Sequence, residues 1–371
     1  MNPAYYKITI ELISKPWVFL LFYLYIWNQK LKMITKFYIQ MKNKLLILLM
    51  LVSSTMFSQI GISKKDDILE IQKRTLIVVL EEANPKLTQK LEGDVLKQYK
   101  KDIDDYNSGI KEAIALVWKF NSKIEYKTRA EIEKLTKAKS KNYAYIEYNK
   151  FTTNCATYAS YNATYQFLEG VGSKDITSIG GDYYSTILNI RLTDDNPFGP
   201  PVYGVHLSNP FPNKADLVVG LKSILMHFKY KLEGLSDIQI SKLFKNNAKA
   251  LSSLTLLVNE DNTDLSIDEI KKVYSYPVSI VKKDKIDDAI LKSDSKSAFL
   301  IVIPYSNSSY TYEILSAKDC TPLGYTNDEQ STGVKVSGFG GDLGTALELK
   351  KQATKSKVKK DHFKIFAKFV K

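Results

Sequence analysis

Cysteine, histidine and tryptophan are scarce in this chain of 371 residues: 2 Cys, 3 His and 3 Trp. Cys155 and Cys320 are too few for a disulfide scaffold, and nothing in their spacing points to a bridge. His206, His227 and His362 do not fall at metal-ligand spacing, so no metal site is expected. His227 falls with Asp216 and Ser223 on the polar side of a predicted helix and reads as solvated, while His362 sits in a basic tail. No cofactor is implied either. The glycine-rich turn "GFGGDLG" (338–344) has Leu343 where a dinucleotide fingerprint needs its third small residue, and no βαβ unit follows. Long apolar runs are missing too: "PWVFLLFYLYIW" (16–27) and "LLILLMLVSS" (45–54) both fall short of the roughly 20 residues that span a bilayer.

The second of those runs has another use. Met41 is followed by Lys42 and Lys44, then the apolar stretch, then small polar residues, which is the order of a secretory signal peptide. "MKNKLLILLMLVSSTMFSQ" closely resembles signal peptides of Bacteroidota-type secreted proteins, with cleavage expected between Ser58 and Gln59. The expected organisation is an upstream extension over 1–40 from an over-long reading frame, a signal peptide over 41–58, and an exported chain from Gln59. That chain would reside in the periplasm or outside the cell. Without the 7 Lys and 1 Glu of residues 1–58, the net charge falls from +13 to +7. Of the remaining lysines, 9 lie within 350–371, so the basic excess is local and no nucleic-acid partner is expected.

An internal repeat carries the most information about the fold. "RTLIVVLEE" (74–82) and "LTLLVNED" (254–261) are short aliphatic runs of the kind found in strands buried on both faces. Each precedes a helical segment, 104–118 and 266–274, the latter opened by the capping box Ser266–Glu269. "KIEYKTRAEIEKLTKAKSKNYAYIEY" (123–148) then lines up with "PVSIVKKDKIDDAILKSDSKSAFLIVIPY" (277–305). Ile124, Tyr126 and Ile132 match Val278, Ile280 and Ile286, and Ser140-Lys141 matches Ser295-Lys296. Further on, "TILNIRLTDD" (186–195) parallels "YTYEILSAKD" (310–319), and "VYGVHLSN" (202–209) parallels "GVKVSGFG" (333–340). A helix closes each copy. In the first it is striped by Leu217, Leu221, Ile224, Leu225, Phe228 and Leu232; in the second it is capped by Asp342 and runs from about 344.

These matches predict an α/β protein of two tandem related domains, each β-α-β-α-β plus β-β-α, with mixed sheets covered by helices. The first would span 59–235 with an insertion at 150–184, the connecting helix 236–253, and the second 254–371 with a basic tail. The element order is similar to the N-terminal domain of TolB and to CsgG-type envelope lipoproteins, and the chain as a whole resembles uncharacterised secreted Bacteroidota-type proteins. Those resemblances imply an exported envelope protein and fix no activity.

The insertion holds the sharpest chemical candidate. Asn154-Cys155 can stand at a helix start, where a thiolate is favoured, with His206 further along as imidazole partner and Asn209 to orient it. That is the chain order of papain-like and NlpC-like hydrolases, although their flanking signatures are missing. Under a helical reading Cys155, Tyr158, Tyr161 and Tyr165 form a packing stripe; under a strand reading Ala159, Tyr161, Ala163, Tyr165 and Phe167 alternate with polar residues. Tyr158, Tyr161, Tyr165, Tyr183 and Tyr184 would suit an envelope protein or glycan partner. The Lys-rich tail 350–371, with Phe363, Ile365, Phe366, Phe369 and Val370, fits either an anionic membrane surface or a docked final helix with a solvated lysine face. The expected role is therefore binding or assembly at the envelope without catalysis, with a Cys155–His206 hydrolase as the alternative.

Overall fold

The computed structural model describes residues 59–60, 63–89, 91–152, 184–196, 200–209, 212–306, 309–327 and 357–370. The expected leader, Cys155, Tyr158, Tyr161, Tyr165, Tyr183, the "GFGGDLG" turn and the Asp342-capped helix lie outside them. All the described residues fall within one compact unit, Phe57–Lys371.

The molecule is an α/β protein with two mixed sheets. β2 (Thr75–Leu80), "TLIVVL", is buried at its four central residues because it runs between two parallel neighbours and is covered on both faces. Those neighbours are β3 (Ile124–Thr128) and β4 (Tyr143–Thr152). Beyond β4 the strands turn antiparallel through β5 (Tyr184–Leu192) and β6 (Tyr203–Leu207), and β1 (Gln59–Ile60) pairs along the outer side of β6. The second sheet repeats this plan. β7 (Thr255–Asn259) lies parallel to β8 (Val278–Val281) and β9 (Ser297–Ser306), followed by antiparallel β10 (Ser309–Ser316) and β11 (Pro322–Asn327).

Register as well as order is repeated. Leu76 opposite Ile124 recurs as Leu256 opposite Val278, and Ile146 opposite Ile190 recurs as Leu300 opposite Ile314. Helices α4 (Arg129–Lys137) and α8 (Lys283–Leu291) join the second and third strands of each copy. Both end through a non-glycine residue of positive φ, Lys139 at 48° and Ser293 at 51°. In each, the next residue donates back to the helix, Ser140 N to Leu135 O and Asp294 N to Ala289 O. Ser140 is therefore the counterpart of Asp294, and the expected match of Ser140-Lys141 with Ser295-Lys296 is off by one residue. A larger correction concerns β6. Its counterpart is β11, which pairs with β10 as β6 pairs with β5, and not the stretch 333–340, which lies outside the described residues. "PLGYTN" carries too little aliphatic pattern to be read as a strand until its partner is known.

The helices explain how the two copies sit together. α1 (Lys65–Lys73), α3 (Gly93–Val117) and α5 (Lys214–Leu232) share a core with Leu76, Val78, Ile146, Leu188 and Ile190 on one face of the first sheet. α5 is fixed at its start by a capping box between Asn213 and Asp216, and it turns Leu217, Leu221, Ile224 and Phe228 inward. α4 covers the opposite face, where Ile132 packs on Ile77, Val79 and Tyr145. In the second copy α7 (Ile267–Lys271) and α9 (Lys360–Val370) take the first of these faces, with Phe363 and Phe366 fully buried. α8 takes the other and packs against α5, so that Ile286, Ile290, Phe299 and Leu315 join the core of the first copy. The copies are thus stacked front to back.

The sequence difference between the copies follows from that stacking. By register, Phe299, Ile301 and Leu315 occupy the places of Tyr145, Glu147 and Arg191. The copy whose back is covered by its neighbour is apolar there. The other copy, which has no such neighbour among the described residues, carries an ion-paired network, Arg191 Nε to Glu147 at 3.1 Å and Arg129 to Glu147 and Glu81 at 3.1 Å each.

One histidine expectation is corrected. His227 on α5 is buried, stacked on Tyr203 with ring centroids 3.8 Å apart, and its Nε2 is hydrogen-bonded to Ser63 Oγ at 2.6 Å. It fastens the N-terminal segment to α5 and does not face solvent. His362 on α9 is also buried, 3.9 Å from the Tyr312 ring, with Nδ1 accepting from Lys359 N at 3.1 Å. α9 is a docked amphipathic helix: Phe363, Phe366 and Val370 face the core, while Lys364 and Lys368 are exposed.

Gly204 in β6 has a single steric task. A Cβ there would collide with Asn189 Oδ1 and lie 3.3 Å from Ile187 Cγ2. Gly204→Ala should lower stability by about 1–3 kcal/mol through overpacking between central strands. An unchanged urea midpoint would show that Asn189 can move aside.

A candidate cleft between the repeated units

Three chain turns meet where the copies join. β6 ends at Leu207 and leads through Asn209 and Asn213 into α5. β7 ends at Asn259, whose Oδ1 accepts Asp261 N at 3.3 Å and starts a short 3₁₀ turn, Glu260–Asn262. α8 begins with Lys283. Between them lies a cavity of about 250 Å³ lined by His206, Asn209, Asp216, Asn259 and Lys283 over a floor that includes Phe299. It opens at the carboxyl end of β7, the place where α/β sheets commonly take ligands.

Lys283 sits in the first turn of its helix, where the dipole disfavours a cation. Carboxylates offset this. Asp216 Oδ1 accepts from Nζ at 3.1 Å, and Asp287 accepts a second bond. Burial pulls the Lys283 pKa down, but the two carboxylates outweigh it and hold the group above its ordinary value. Asp216 is itself buried, and its Oδ2 accepts from Asn213 N at 3.1 Å and from Asn209 Nδ2 at 3.3 Å. One side chain thus serves as helix cap and as the ion partner that joins the two copies.

His206 lies on β6 and is 8 % exposed. Burial lowers its pKa to about 4, so the imidazole is neutral at physiological pH. His206 and Asn209, both singled out in the sequence, line one cleft; Asn209 reaches Asp216 through its amide. Tyr184 opens β5 opposite Thr152, so the insertion springs from the tip of the β4–β5 hairpin. In the second copy the same hairpin closes between Ser306 and Ser309. Cys320 is buried, and burial pushes its thiol up to about 12, an inert core residue.

The sequence reading missed Asp216, Asn259 and Lys283. A signal for Lys283 existed in the repeat. Arg129 occupies the equivalent first position of α4 and is likewise held by carboxylates, here Glu81 and Glu147 of its own copy. There burial pushes the Glu81 carboxyl up, against the pull of Arg129. The crevice beside Glu81, Tyr106, Tyr148 and Asn213 measures about 70 Å³, too small for more than a few waters.

Among the described residues no group of three His, Cys, Asp or Glu side chains is placed to hold a metal ion. No helix among them is long and apolar enough to cross a membrane. Comparison with known proteins finds no matching family, no matching curated protein and no matching solved structure. The likeness to TolB N-terminal and CsgG-type domains accordingly rests on element order.

Proposed function

We propose that the chain is an exported protein with a binding or assembly role at the cell envelope, and that it works without catalysis. The observation that carries this reading is the state of the cleft. Its carboxylate Asp216 is saturated by partners, its ammonium Lys283 is held charged by two carboxylates, and its imidazole His206 is neutral. Such groups recognise a ligand through hydrogen bonds, and none is poised as a general acid near neutral pH. Export is supported by the order of charged, apolar and small polar residues over 41–58.

The Cys155–His206 hydrolase is the competing proposal, and burial of His206 weighs against it. A thiolate–imidazolium pair, the form in which such a cysteine is most strongly activated, is disfavoured by the burial of His206. N-terminal sequencing of the protein from fractionated cells should return Gln59 in the periplasm or medium; recovery of Met1 would overturn export. Alkylation of Cys155 by iodoacetamide should fall with pH as for an ordinary thiol and should not respond to His206→Ala. Rapid alkylation at pH 6 that disappears in that variant would establish the hydrolase instead. Envelope material retained by the intact protein should be reduced on deletion of 150–184 if the insertion is a contact surface.

A further inference from the structure

We propose that the cleft between the two copies holds a single neutral sugar ring, so that the envelope partner is a glycan engaged one residue deep. The proposal rests on the reading of the chain as an exported binding protein and specifies its ligand. Volume sets the scale: about 250 Å³ is below the roughly 300–1,000 Å³ of sites for larger organic ligands and suits one six-membered ring with its substituents.

Charge narrows the class. The ammonium that lines the cleft, Lys283, already bonds Asp216 and Asp287, and the exposed Asp261 carboxylate stands at the mouth. A phosphate, sulfate or carboxylate ligand would therefore meet a neutralised cation and a like charge. A compact inorganic cation is disfavoured from the other side, because the floor is built from Phe299, Ile301 and Val302.

The remaining chemistry matches hydroxyl groups. A sugar hydroxyl both donates and accepts, and carboxamides offer both functions on one planar group. Asn259, whose Oδ1 accepts from Asp261 N, lines the cleft and carries a donor in its amide Nδ2. Asn262 adds a half-buried amide beside it. Asp261 can accept from two neighbouring hydroxyls at once, as a carboxylate does with any fork of donors. The apolar floor then faces the C–H side of the ring. Because the polar wall belongs to both copies, a bound sugar would bridge them.

The test uses the purified full chain with glucose, galactose, mannose and N-acetylglucosamine as probes, and methyl phosphate and putrescine as ionic controls. Saturation-transfer NMR should show binding of at least one sugar and of neither control. The double variant Asp261→Ala/Asn262→Ala should weaken that binding about tenfold, the loss expected for removing about 1.4 kcal/mol of hydrogen bonding. Both side chains lie at the rim, so its melting temperature should stay near wild type, which separates loss of the site from loss of the fold. Absence of transfer from every sugar, stronger binding of methyl phosphate or putrescine, or unchanged affinity in the double variant would each overturn the proposal. Failure here with Gln59 recovered from the exported fraction would remove the sugar and leave the export reading intact.

Discussion

Leu315→Arg should destabilise the protein by about 3–5 kcal/mol, the usual cost of a buried charge without a partner. The substitution places in the second copy the residue that the first copy carries at the same register. In the first copy Arg191 is tolerated because Glu147 lies 3.1 Å from its Nε. In the second, Ile301 stands where Glu147 would, and Leu315 is 2 % exposed in a core shared with α5. The arginine would therefore enter an apolar layer between the copies. The core behind the sheet, formed by Leu256, Val258, Tyr274 and Phe363, is not touched. Unfolding in urea should accordingly start earlier, and limited proteolysis should quicken in the connecting segment 233–252, where Ile238 is 63 % exposed. Ile301→Glu with Leu315→Arg should recover part of the loss, because the pair would recreate the Glu147–Arg191 contact. A single variant within about 1 kcal/mol of wild type would mean that the copies do not share this core, since surface changes stay in that range.

The contrast between the copies also shows how far the sequence could be read. Aliphatic runs such as "TLIVVL" announced the buried parallel strands, and the order strand–helix–strand exposed the duplication because both copies keep it. The register of "TILNIRLTDD" against "YTYEILSAKD" is the register of β5 and β10 in the two sheets. β11 escaped because its burial comes from β10 and α9 rather than from its own residues. His227 escaped because α5 is packed on two sides: the position that looks polar on a wheel is covered by Tyr203 and Ser63. The cleft had the weakest signal. Its members come from β6, α5, β7 and α8 and meet only through stacking of the copies, which no local pattern encodes. Lys283 could have been found by asking why both copies put a cation at a helix start.

Acidification from pH 7 to pH 4 should remove about 3 kcal/mol for each of His206 and His227, enough together to consume much of a typical folding stability of about 5–15 kcal/mol. Burial holds both folded pKa values at about 4, against 6.5 when the chain is unfolded. A group with a depressed folded pKa contributes stability above its unfolded pKa and loses it as pH falls toward the folded value. The window is therefore pH 6.5 to 4. For His227 the groups around the ring include Ser63, the stacked Tyr203 face, Asp237 and Lys231, of which Asp237 pulls the pKa up and Lys231 pulls it down, both less strongly than burial lowers it. Glu81 acts in the opposite sense, since its raised pKa means that protonation is favoured in the fold. Paired carboxylates such as Asp194 with Arg74, whose pKa is lowered, give way only at lower pH. Urea titrations at pH 7, 5.5 and 4 should show the loss in the wild type and a much flatter profile in His206→Gln/His227→Gln. A double variant with the wild-type slope would show that neither imidazole is held neutral by its surroundings, and the account of the cleft as a neutral hydrogen-bonding surface would fall with it.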